Sequence, residues 1–205
     1  MPLSEHSYAG GEAPLSQVPI AIGIAETDLR YPIGKVEDQT FSNKGDYNEN
    51  IKSAYLQEIQ MCPGLLEEAI LNLDEAQLNI PYRDGGWTSK QVIHHVADSH
   101  MNAYIRFKLA LTEDNPTIKP YDEAAWAELS DTKNLPVNIS LTLLHALHTR
   151  WTELMKNMNE KDWQRTVFHP EHKRTISLWD MAGTYAWHGK HHAAHITKLR
   201  ERMGW

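Results

Sequence analysis

Thr88 is followed three residues later by Gln91, and Trp87 and Val92 flank the pair. A hydroxyl residue at the N-cap with Gln at N3 makes a capping box, while apolar residues on either side staple the entering chain to the first turn. After it, Val92, His95, Val96, Ser99, Asn102, Ala103, Arg106 and Ala110 recur at steps of three and four, which predicts a helix over Ser89–Thr112 with one inward stripe. A chain built around such a helix must bury that stripe against other elements.

Three further segments offer partners of the same kind. Ser177 as N-cap, Asp180 at N3 and the Ile176/Met181 staple start a last helix that runs toward Met203, before Gly204. After Asn138, Leu141, Leu144, His148, Trp151, Met155 and Met158 form one stripe, with Leu143, Leu147 and Leu154 beside it. Asp46 as N-cap with Glu49 at N3 opens the earliest helix, through Ile51, Ala54, Tyr55 and Ile59; Pro63 is expected to break or kink it before 65–73 resume the pattern. Four amphipathic helices define an all-α, four-helix bundle.

The connections refine that picture. Pro116, Pro120 and Pro136 surround a short helical patch at 123–129, so the link between the second and third long helices is long, as a crossover requires. Segments 165–168 and 174–177 around His169-Pro-Glu-His172 predict a small hairpin. A chain of 205 residues suits one core, read here as a domain over 29–205 behind an irregular leader at 1–28, where glycines and prolines replace any helical period.

Composition narrows the function. A net charge of -7 argues against nucleic-acid and anionic-membrane partners, which leaves a small-molecule substrate as the expected partner. No apolar run approaches the roughly 20 residues of a membrane helix, and the N-terminal segment lacks the pattern of a secretory signal. Cys62 is the only cysteine, so no intrachain disulfide forms and a reducing, cytoplasmic location is expected. Without a neighbouring base or cation it reads as a small buried hydrophobe.

Twelve histidines stand against three phenylalanines. On the last helix, Met181, Tyr185, His188, His192 and Leu199 share the apolar stripe, and spacing of four puts His188 and His192 one turn apart on one face. His95 occupies the inward stripe of the second helix, whereas His94 and His100 fall about 100° off it and suit outer or surface roles. His191 and His195 read as ordinary exposed residues. A lone inward histidine is usually a hydrogen-bonded core residue; three on two inward stripes point to one divalent ion.

Three imidazoles leave Zn²⁺ or Ni²⁺ with open positions, the arrangement of a catalytic site in which a water is acidified toward neutrality. Gly189-Lys-His191 follows His188, so the Glu of the His-Glu-x-x-His peptidases is missing. Glu-x-x-His pairs of dinuclear carboxylate bundles are missing too, which favours one metal per subunit.

Asn102 and Arg106 continue the His95 stripe as candidate substrate contacts; an inward Arg either clamps a substrate carboxylate or completes a structural ion pair. Asp98 is read either as an imidazole-orienting acceptor or as a solvated residue. His148 is read as a satisfied core histidine, with the metal cavity as its other place. Tyr121, Asp122 and Trp126 in the crossover form either an aromatic lid or a loop anchor.

Tyr82-Arg-Asp-Gly-Gly-Trp-Thr88, Gln91-Val-Ile-His-His-Val-Ala-Asp-Ser-His-Met-Asn-Ala-Tyr-Ile-Arg106 and Trp187-His188 through His195-Ile-Thr197 together resemble the YfiT-like branch of the DinB superfamily of metal-dependent hydrolases. The resemblance extends from Tyr31-Pro-Ile-Gly34 to Arg202-Met-Gly-Trp205 and takes in Pro120-Tyr-Asp-Glu123 and His148-Thr-Arg-Trp151. It implies a DinB-like four-helix bundle, a homodimer, and zinc or nickel on the residues matching the family's three histidines, here His95, His188 and His192. It also implies hydrolysis, with a second possibility from related members: an S-transferase using a low-molecular-weight thiol such as bacillithiol. A non-catalytic metal-binding protein is the third reading, and it requires a coordinatively saturated ion.

Overall fold

The Thr88 hydroxyl accepts from the Gln91 amide at 3.1 Å, and the Gln91 side chain accepts from the Thr88 amide at 3.0 Å. This pair starts helix α4, Ser89–Thr112, as its capping box predicts. The architecture is that of a computed structural model, which describes residues 26–38 and 47–205. In chain order it consists of α1 (Glu26–Arg30), α2 (Glu49–Ile70), α3 (Glu75–Leu78), α4, α5 (Glu123–Ala127), α6 (Ser130–Asn134), α7 (Val137–Lys156), α8 (Glu160–Trp163), strands β1 (Thr166–His169) and β2 (Arg174–Ser177), and α9 (Leu178–Met203).

The long helices are α2, α4, α7 and α9. Ser177 caps α9 by accepting from the Asp180 amide at 3.0 Å, and Gly204 ends it at a left-handed φ of 70°. The cap of α2 is Asn48, not Asp46: the Asn48 side chain accepts from the amides of Asn50 and Ile51. Asp46 lies outside the described residues, as does the leader at 1–25; the leader's end, read as irregular, contains α1. Helix α7 starts at Val137, two residues earlier than a helix that follows Asn138, behind Pro136, whose φ of -72° already suits a helix entry.

Pro63 does not break α2, which continues to Ile70. A proline cannot donate to the carbonyl four residues back, so Ile59 loses its intrahelical partner. The ring Nδ1 of His148, on α7, hydrogen-bonds that carbonyl instead. A tertiary donor thereby replaces the missing backbone one.

Around the bundle, α2 packs on α9 and α7, and α4 packs on the same two helices, so α2 and α4 lie across the diagonal. The side-chain pairs give the directions. Lys190–Glu58 at 2.7 Å and Arg200–Ala69 at 3.0 Å make α2 and α9 parallel, and His94–Ser140 at 2.7 Å with His100–His148 at 2.9 Å makes α4 and α7 parallel. Parallel neighbours cannot be joined by a tight turn. The crossover with α5 and α6 therefore returns along the bundle, as its length predicts.

Hairpin β1–β2 pairs Val167 with Ile176, and the crossover is stitched to it where the Ile118 amide donates to the Phe168 carbonyl at 3.0 Å. No helix of the described residues is long and apolar enough to cross a membrane.

The apolar interior forms two clusters. One gathers Tyr55, Ile59, Phe107, Trp151, Met155, Trp163 and Trp179; the other gathers Cys62, Leu66, Val92, Val96, Leu144, Ile196 and Leu199. Between these levels sit the buried imidazoles of His95, His100, His148 and His192 and the partly exposed His188. Gly189 lets α9 approach α2 at this level, since a Cβ there would lie 2.5 Å from Cys62 Sγ.

Two histidines that their sequence pattern leaves at the surface are buried. His191 and His195 are 6% and 3% exposed. The end of α1 and the residue after it cover them: His195 Nε2 bonds the Arg30 carbonyl at 3.1 Å, and the Tyr31 ring lies 6.1 Å from that of His191. Tyr82 stacks on His195 and Trp187 on His191 from within. The coverage comes from a segment distant in sequence, which helix phase cannot report.

Candidate metal centre

Helix α4 contributes His95, and α9 contributes His188 and His192 one turn apart. Their side chains converge through the same atom type. His188 Nε2 lies 3.4 Å from His95 Nε2 and 3.1 Å from His192 Nε2, and the three ligand atoms all fall within 4.8 Å of one another.

Two imidazoles bound at about 2.0–2.1 Å to one tetrahedral ion stand roughly 3.3 Å apart. The observed spacings bracket that value. Burial pushes the pKa of His95 down to about 4 and those of His188 and His192 well below the ordinary 6.5, with neighbouring imidazoles adding to the effect. All three are neutral at neutral pH, the form that binds a metal. Residues, spacing and protonation fit a divalent ion such as zinc or nickel.

The flanking histidines have distinct partners. His100 Nε2 lies 3.0 Å from His188 Nδ1, and His100 Nδ1 lies 2.9 Å from His148 Nε2. His148, 1% exposed, is thus both a satisfied core residue and a neighbour of the centre. His94 points away from it, bonded to Ser140 and, at 3.2 Å, to the Leu135 carbonyl. Cys62 groups with His100 and His148, but burial pushes its thiol up to about 12, which disfavours the thiolate that a metal needs.

Trp87 walls one side, its ring centroid 4.5 Å from that of His95. On another side Tyr185 lies 5.6 Å, ring to ring, from His188 and neighbours Ser99, Arg106 and Glu123. Burial raises the pKa of both Tyr185 and Tyr121, so each hydroxyl keeps its proton. Tyr121 meets the same Ser99 and Arg106 and packs on Trp126 at 4.4 Å, so this part of the crossover covers the Arg106 side of the centre.

The other candidates are placed differently. Asn102 donates its side-chain amide to the Asp98 carbonyl at 2.9 Å, within its own helix. Asp122 caps α5 by accepting from the Ala125 amide. Burial, with Asp131 adding to it, raises the half-buried Asp98 to about 6. Tyr185 and Ser99 were visible on the inward stripes, yet only the crossover's return brings Tyr121 and Glu123 beside them.

Residues 58–196 match the family model of the DinB superfamily. The chain belongs to the DinB superfamily. Among its DinB relatives, a Bacillus mycoides protein named a "putative metal-dependent hydrolase" is 54% identical over 178 residues, 87% of this chain and 99% of the relative. A Bacillus anthracis protein with the same description is 53% identical over the same shares. Among solved structures, YfiT from Bacillus subtilis, described as a probable metal-dependent hydrolase with an unusual four-helix bundle topology, superposes with a TM-score of 0.82 at 46% identity, over 87% of this chain and 99% of YfiT. Diagonal placement of α2 and α4, with parallel α4 and α7, is the form the DinB bundle takes here.

Proposed function

We propose that this DinB protein is a mononuclear metal-dependent hydrolase acting on a small molecule, with His95, His188 and His192 holding one Zn²⁺ or Ni²⁺ per subunit. The convergence of three neutral Nε2 atoms carries the reading. The relatives' descriptions as metal-dependent hydrolases support it. A divalent ion held by His95, His188 and His192 would supply Lewis acidity and activate water near neutral pH.

The chain's own residues supply positioning. Trp87 and the Tyr121–Trp126 pair limit water around the centre. Arg106 offers a fixed positive charge for a carboxylate or a developing anion, and the protonated hydroxyls of Tyr185 and Tyr121 offer hydrogen bonds beside it. Asn102 holds its own helix, so it enters the substrate space only by giving up the Asp98 carbonyl.

The test is turnover of zinc- or nickel-loaded protein on ester and amide panels, run beside bacillithiol with monochlorobimane. Hydrolysis that vanishes in His192→Ala, with KM for acidic substrates raised in Arg106→Leu, is the expected result. Thiol conjugation without hydrolysis would overturn the reading in favour of S-transfer.

A further inference from the structure

The proline inside α2 and the imidazole layer are one device. Pro63 leaves the Ile59 carbonyl without a helical donor, and His148 Nδ1 bonds it. A carbonyl only accepts, so the His148 proton sits on Nδ1 and Nε2 is left as an acceptor. His100 Nδ1, 2.9 Å away, must then be the donor, which leaves His100 Nε2 to accept from His188 Nδ1 at 3.0 Å. The rings of His100 and His148 are within 10° of parallel with centroids 4.9 Å apart, a placement compatible with an N–H···N bond between them. One proton per ring fills all three bonds. The nitrogen left with a free lone pair is His188 Nε2, the atom that faces His95 and His192.

From this we infer that Pro63, His148 and His100 form a positioning relay, anchored on the Ile59 carbonyl, that fixes the tautomer and ring orientation of His188 so that Nε2 is presented to the metal. Each of the four long helices contributes: a carbonyl from α2, His100 from α4, His148 from α7 and His188 from α9. Without the relay, His188 divides between tautomers, and the fraction protonated on Nε2 cannot ligate. The inference rests on the metal reading above only for what Nε2 binds.

Cys62, His100 and His148 could instead hold a second ion. Their nitrogens stand 2.9 Å apart, a hydrogen-bond distance and shorter than the roughly 3.3 Å edge of a tetrahedral pair. The relay accounts for that spacing directly.

The experiment is ¹⁵N-histidine NMR of the metal-free full chain, combined with Zn²⁺ titration of the wild type, His148→Phe and Cys62→Ala. The relay predicts neutral His148, His100 and His188 protonated on Nδ1. It also predicts a mixed His188 tautomer and a Kd for zinc weakened by about ten- to a hundredfold in His148→Phe, and an unchanged Kd with one ion per chain in Cys62→Ala. An Nε2–H on His100 or His188 in the wild type, an unchanged Kd in folded His148→Phe, or a second ion lost in Cys62→Ala would overturn it. Should His148→Phe fail to fold, the wild-type tautomers alone decide. The predicted tautomers in a protein that binds no zinc would sink the metal reading and leave the relay standing.

Discussion

At Gly189 the backbones of α9 and α2 come close enough that a single added carbon has nowhere to go. Its Cβ would sit 2.5 Å from Cys62 Sγ and 3.0 Å from Cys62 Cβ. Overpacking a filled interior costs about 1–3 kcal/mol, so Gly189→Ala is expected to lower the urea midpoint, and Cys62→Ala in the same chain to restore part of it. Additive losses in the double variant would show that the clash lies elsewhere. Helix phase alone separated His95 from His94, because a step of about 100° turns one ring toward the bundle axis and the other toward Ser140. The same phase could not give His100 its role, which depends on His188 Nδ1 arriving from a helix 88 residues later.

At the scale of elements, the signals written within a few residues were legible. Thr88 with Gln91 and Ser177 with Asp180 start α4 and α9 as predicted, because a cap's donors and acceptors all lie within one turn. Thr88→Ala should cost about 1 kcal/mol, read as a lowered thermal midpoint; an unchanged midpoint would mean that packing alone sets the start of α4. The earliest helix was less legible, since Asp46 and Asn48 are both good caps and only the backbone decides between them. Pro63 misled for a different reason: the donor that rescues Ile59 comes from α7, so the helix reads as broken in isolation and is continuous in the bundle. Burial of His191 and His195 likewise depends on Arg30 and Tyr31, which no helical period connects to α9.

For the whole molecule, placing a polar layer between two apolar clusters makes stability depend on pH. Burial holds His95, His148 and His195 at about 4 and His191 at about 3, below the ordinary 6.5. A histidine with a depressed folded pKa takes up its proton more readily unfolded, so stability is full above 6.5 and falls as the pH drops from there toward 4. Each such group contributes up to about 1.4 kcal/mol per pH unit. Metal-free protein is therefore expected to unfold cooperatively on mild acidification with uptake of more than one proton, and bound zinc should move that transition to lower pH. Stability flat from pH 7 to 5 would contradict the buried, neutral imidazoles.

The proposed site holds one ion on His95, His188 and His192. Metal content and zinc affinity of the purified full chain, set beside His95→Ala and His192→Ala, test it most directly. One zinc or nickel per wild-type chain and loss of the bound metal from both folded variants are expected. Unchanged occupancy in both would contradict it.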